Sequence, residues 1–279
     1  MYKSKTGLSM EIYQIFVDIG FNLKSYIYPM KTTLFFAGKN YYADLNHPID
    51  ISLPLRPGEQ NVIAWYLEPA KIEPVVMGDW IGDTNQGSPV NFKNIYFNPH
   101  GHGTHTECAG HISKEFFSIN QELKKFFSIA KLITVNPEQR GDDFVITLSQ
   151  LKSLLGEDIP EAVVIRTLPN EKEKTIKHYS NTNPPYIEET AALYLREKNV
   201  LHLLIDLPSV DPEQDHGKLA AHKAFWNYPE SPRLKATITE FIYADNSVHD
   251  GLYLLNLMIA PFENDASPSK PVLYSLQEN

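Results

Sequence analysis

The stretch "PPYIEETAALYLREKNVLHLLIDL" (residues 184–207) places two different periodicities back to back. Ile187, Ala191, Tyr194 and Leu195 recur at helical spacing, with acidic residues early and basic ones late, as the helix dipole favours. Residues 200–207 are then almost wholly apolar, the pattern of a strand covered on both faces. Upstream, "EAVVIRTL" (161–168) is a second buried-strand run. Strand, helix and strand in that order predict an α/β or mixed sheet rather than an all-β or all-helical fold.

Working outward, "QLKSLLG" (150–156) reads as a short helix that Ser149 can cap, and "LAAHKAFW" (219–226) as another. Strands are expected at "AKLITV" (130–135), "DDFVITL" (142–148), "KATITEFIYA" (235–244) and "GLYLLNLMIAPF" (251–262). Residues 32–45 carry two β-prone runs around Gly38-Lys39-Asn40, a hairpin signal. No internal repeat, low-complexity tract or linker divides the chain, so one domain over 30–279 is expected. Residues 1–29 read as an extension outside that core, because Met30 opens a good domain start.

The bulk numbers exclude several functions. The chain has 279 residues, 42% apolar and 21% charged, with a formal charge of −9. No basic stripe is available to neutralise phosphates, so nucleic acid is not an expected partner. Residues 8–30 are the most apolar candidate for a membrane span, but Glu11, Asp18 and Lys24 interrupt them. A single cysteine fits a reducing compartment, and no signal peptide is recognisable, so a cytoplasmic location is expected. No nucleophile elbow, P-loop or dinucleotide fingerprint is present.

Chemistry concentrates in "NPHGHGTHTECAGHI" (98–112), which holds four of the ten histidines, the only cysteine and a glutamate. Its glycines and proline predict a loop or strand end rather than a helix. On an extended chain His105, Glu107 and His111 share one side, with Thr106 and Cys108 opposite. Neutral imidazoles with a carboxylate suit zinc, manganese or iron. Far along the chain, His222 shares a helical face with Leu219 and Trp226, as a core histidine or a ligand. Glu240 is in phase with Ile238 and Ile242, and an inward carboxylate among isoleucines is costly unless paired or metal-bound.

The stretch "HGTHTECAGH" (102–111) resembles the His-x-Gly-Thr-His-x-Asp-x-Pro-x-His signature of the cyclase family of metal-dependent hydrolases, which includes kynurenine formamidase and isatin hydrolase. "IDLPSVDP" (205–212), "AAHKAFW" (220–226) and "TITEFI" (237–242) are similar to that family's later motifs, in the same order. The resemblance covers roughly residues 40–265. It implies a mixed α/β fold, a barrel-like sheet flanked by helices, and homodimers or larger homo-oligomers. It also implies one or two divalent ions, zinc or manganese, held by His105, Glu107 in the aspartate position, His222, Glu240 and a first histidine. That first position falls on Gly101, so either His100 or His102 must serve; His100 is favoured, with the extra residue absorbed as a bulge. Gly110 is expected to give room for the longer Glu107. His111 matches the proton shuttle. Trp65, Trp80 and Phe92 are candidate pocket walls.

The expected reaction is hydrolysis of a C–N bond in a small amide, formamide or cyclic imide, using water activated by the metal and His111 as acid and base. Ester or lactone hydrolysis, cyclisation, and non-catalytic metal or ligand binding are the alternatives.

Overall fold

A computed structural model describes residues 30–278; the proposed 1–29 extension lies outside the described residues. Nine strands carry the architecture: β1 (Lys31–Phe36), β2 (Lys39–Asp44), β3 (His105–Glu107), β4 (Phe127–Val135), β5 (Ala162–Thr167), β6 (His202–Ile205), β7 (Thr237–Glu240), β8 (Gly251–Ile259) and β9 (Ala266–Glu278). Four helices matter to the site or its support: α1 (Pro99–His102), α2 (Leu148–Leu155), α3 (Glu189–Glu197) and α4 (Ala220–Trp226).

Strands β4, β5, β6 and β7 are mutually parallel, and β8 and β9 follow antiparallel on the β4 side. The three-residue β3 lies antiparallel to both β7 and β9, which closes seven strands into a mixed barrel. The far end of β9 pairs with β2 and so carries the β1–β2 hairpin.

Alternation along the buried strands explains the two cores. Val163, Ile165, Leu203 and Ile205 face outward against Leu151 and Leu155 of α2, Ala191 and Leu195 of α3, and Phe225 and Trp226 of α4. Ala162, Val164 and Leu204, one residue out of phase, fill the barrel with Leu132, Leu255 and Leu273. Both faces of β5 and β6 are therefore apolar, as the continuous hydrophobic runs require. Burying Phe225 or Trp226 stabilises the outer layer by roughly 1.5–3 kcal/mol each.

Two local expectations are corrected. Thr147, not Ser149, caps α2: its hydroxyl accepts the Gln150 N–H while the Gln150 side chain returns to the Thr147 N–H, a reciprocal box that Ser149, already inside the first turn, cannot form. The hairpin turns at Ala37-Gly38, where both residues have positive φ (47° and 79°), so Lys39 and Asn40 already belong to β2. Among the described residues no helix is long and apolar enough to cross a membrane.

Candidate metal centre

The shortest barrel strand carries the most chemistry. Opposite β3, Ile238 pairs with Glu107 and Glu240 with His105, so the side chains of His105, Glu107 and Glu240 share the outward face, beneath α4. On the inward face Thr106 and Thr239 bond to each other at 2.8 Å. Cys108 also turns inward, where burial pushes its thiol up to about 12. It is inert filler.

His100 and His102 both lie in α1. Asn98 caps this single turn by accepting the His100 N–H at 2.9 Å, and Pro99 needs no donor at the first helical position. The extra residue before His105 is thus absorbed by a helical turn, not by a bulge. His102 points away: its Nδ1 accepts the Asn98 N–H at 2.8 Å and its Nε2–H donates to the Glu68 carbonyl at 2.9 Å. With both nitrogens used, it has no lone pair for a ligand. His100 instead enters the centre, its Nδ1 lying 3.1 Å from Glu107 Oε2. Gly101 permits this close packing, since a Cβ there would lie 2.3 Å from Leu67 Cδ1.

The rest of the cluster converges on Glu107. His105 Nδ1–H donates to the Gly103 carbonyl at 3.1 Å, which aims Nε2 at Glu240 Oε2 (3.3 Å) and Glu107 Oε2 (3.9 Å). His222, on α4, gives Nδ1–H to Asp211 at 2.5 Å and leaves Nε2 3.1 Å from Glu107 Oε1 and 3.8 Å from Glu240 Oε1. Asp211 also accepts the backbone N–H groups of Ala221 and His222, so it fixes both helix and ring. The 3₁₀ turn Ala109–His111 folds the chain back and sets His111 Nδ1 3.8 Å from Glu107 Oε2. Gly110 makes room in that turn for the Phe117 carbonyl, 2.3 Å from a built Cβ, and for Asp265, rather than for Glu107 as expected.

His105 Nε2 and Glu107 Oε2 are buried and have no hydrogen-bond partner. A ring lone pair facing two carboxylates is repulsive unless a cation lies between them, and a bare buried carboxylate oxygen is expensive. Charge points the same way. Burial disfavours the charged form of His100 and His222, yet contacts with Asp265 and Glu107, and with Asp211 and Glu107, lift each to about 10. Against its own burial, neighbouring His111, His100 and His222 hold Glu107 well below the usual carboxylate range. The carboxylates demand positive charge. Ligand atoms of His100, His105 and Glu107, and those of Glu107, His111 and His222, lie within 4.8 Å of one another, which suits a divalent ion.

Above the cluster is a cavity of about 340 Å³. Trp65, Leu67, Pro212 and Leu219 form its apolar wall, and His100, His111, His222 and Glu240 reach into it. Trp65 lies in that wall and donates its indole N–H to the His100 carbonyl at 3.1 Å. Trp80 and Phe92 are not in that wall: they pack on each other, ring centres 6.2 Å apart, in the 71–97 arm. Asp265, 2.8 Å from His100 Nε2, is part of the cluster although no sequence motif marked it. Asp211 stands in the turn after β6.

The fold is thus a closed mixed barrel with a histidine–carboxylate cluster on its outer face. The family model described as "Putative cyclase" matches residues 43–212, more than half of the chain, and the chain belongs to that family. The solved structures it resembles include isatin hydrolase A from Ralstonia solanacearum (TM-score 0.61, 13% identity, 98% of this chain and 99% of that one). Isatin hydrolase A from Labrenzia aggregata gives 0.60 at 15% identity, over 83% and 94%. A predicted metal-dependent hydrolase from Bacillus stearothermophilus gives 0.57 at 19%, over 82% and 98%. At these identities the likeness establishes the shared fold. No curated protein matches the chain.

Proposed function

We propose that this protein is a metal-dependent hydrolase that cleaves a C–N bond in a small amide, formamide or cyclic imide. The observation that carries the reading is the pair of unpartnered buried atoms, His105 Nε2 and Glu107 Oε2, in contact with residues that line an open cavity, His100, His222 and Glu240 among them. His100, His105 and Glu107 would hold one ion; Glu107, His222 and Glu240 would hold a second, as zinc or manganese. A bound ion of this kind would polarise a carbonyl and lower the pKa of a bound water to about 7.

The chain supplies the rest. Trp65, Leu67 and Leu219 can seat the apolar body of a small substrate with its carbonyl directed at the cluster. His111, 31% exposed at the cavity edge, can take a proton from the attacking water and return it to the leaving nitrogen. Three of the similar structures are isatin hydrolases, and isatin contains a cyclic amide, the class proposed here.

Homo-oligomerisation belongs to the same reading. Val76, Met77, Phe92, Ile95 and Tyr96 on the 71–97 arm are each more than half exposed, and sedentary apolar surface of this kind favours a partner. Sedimentation velocity should give at least a dimer.

The test of function is a panel of formamides, lactams, cyclic imides and esters offered to zinc- or manganese-loaded protein. Release of a carboxylate together with an amine, or with an amide from a cyclic imide, is expected. Full metal loading without turnover on any member would instead mark a metal-binding protein with no hydrolase activity.

A further inference from the structure

Asp265 stands at the foot of β9, one residue before the Ala266–Glu107 pair that closes the barrel. Its backbone carbonyl accepts the Cys108 N–H at 3.0 Å, tying it to the strand that carries Glu107. The absence of a side chain at Gly110 lets it approach: a built Cβ there would already stand 3.3 Å from Asp265 Cβ. A single carboxylate oxygen, Oδ2, then lies 2.8 Å from His100 Nε2 and 3.4 Å from His111 Nδ1. The two rings stack over it, 4.3 Å between centres and 29° apart in plane.

An ionised carboxylate only accepts hydrogen bonds, so the nitrogens that face it are the ones that carry hydrogen. For His100 this leaves Nδ1, the atom 3.1 Å from Glu107 Oε2, with its lone pair toward the cluster. For His111 it leaves Nε2 as the proton acceptor. We propose that Asp265 is a positioning residue that sets the tautomers of both rings at once, a claim that rests on reading the centre as a hydrolytic metal site. One oxygen thereby couples the residue that would hold metal to the residue that moves the proton. Without Asp265, His111 is free to carry its hydrogen on Nε2, where it can no longer act as a base. The arrangement parallels Gly103 behind His105 and Asp211 behind His222, but serves two rings instead of one.

The experiment compares wild type, Asp265→Ala and Asp265→Asn as full-length, zinc-loaded protein labelled with ¹⁵N-histidine. Long-range ¹H–¹⁵N spectra read which ring nitrogen carries hydrogen, with His111→Ala and His100→Ala assigning the signals. The expected wild-type spectrum has His111 as the Nδ1–H form and His100 as the Nε2–H form. In Asp265→Ala the His111 signal leaves the Nδ1–H form, and kcat falls about 10–100-fold at saturating zinc while KM stays near wild type. Asp265→Asn, whose amide oxygen can still accept, recovers part of both. His111 found as Nε2–H in wild type, or unmoved by Asp265→Ala, overturns the assignment, as does a change in KM alone. The tautomers are read whether or not a substrate is found, so failure of the hydrolase reading and failure of the Asp265 role are separate results.

Discussion

His202 and His222 are equally buried, 3% and 2% exposed, yet their environments drive them in opposite directions. His202 opens β6 on the barrel's inner side, where Nδ1 meets the Thr237 hydroxyl at 2.9 Å. Burial there, opposed only by the charge of Glu161, pushes the ring down to about 4. His222 is on α4, between Asp211 and Glu107, and the two carboxylates overcome burial and raise it to about 10. On the inner face two polar groups find neutral partners, His202 with Thr237 and Thr106 with Thr239. One residue out of phase, the outer face collects Glu107 and Glu240 with three imidazole rings and leaves His105 Nε2 and Glu107 Oε2 unpartnered. Burial alone does not mark a functional histidine. What it is buried against does.

The contrast is broken most completely at Glu107, the group common to both proposed ion sites. Glu107→Ala should bring metal per chain to background and remove turnover beyond the roughly 10²–10⁴-fold that one acid–base group supplies. Elemental mass spectrometry and the substrate panel read both. Next in size, His111→Ala should lower turnover by about 10²–10⁴-fold with metal retained; a metal-free variant would make His111 a ligand instead.

For the inner histidine the effect is on stability. Its folded pKa, about 4, lies below the ordinary 6.5, so as pH falls the unfolded chain takes the proton first. The stability linked to His202 is complete above about pH 6.5, declines between there and about 4, and totals on the order of 3 kcal/mol. Urea unfolding across that range should show this slope in wild type and lack it in His202→Gln; identical slopes would refute the neutral-burial account. Asp211→Ala removes the acceptor behind His222 and should weaken metal affinity about 10–100-fold in a chelator competition. Thr106→Val should be the mildest change. It strands the Thr239 hydroxyl at a cost of about 1–3 kcal/mol, visible in the unfolding midpoint, with metal content untouched.

Much of this was legible in the sequence, for identifiable reasons. Continuous apolar runs at 161–168 and 200–207 announce strands covered on both sides, and the even spacing of His105 and Glu107 puts them on one face. His222 and Glu240 were detectable because a polar group in an apolar period needs a partner. Choosing between His100 and His102 required the backbone, because one helical turn at 99–102 hands both nitrogens of His102 to main-chain groups. Asp265 was not legible at all. It lies far from the histidine segment in sequence, in a polar stretch without periodicity, and only barrel closure brings it to His100. Trp80 and Phe92 misled because aromatic residues in β-rich segments pack on each other as readily as they line a pocket.

The most direct measurement is the metal content of untagged protein purified without chelator, followed by its thermal midpoint before and after chelation. One or two zinc or manganese ions per chain, whose removal lowers the midpoint and whose return restores it, is the result expected if the carboxylate cluster is built around cations. A fully folded chain that carries no metal and takes up neither zinc nor manganese would contradict it.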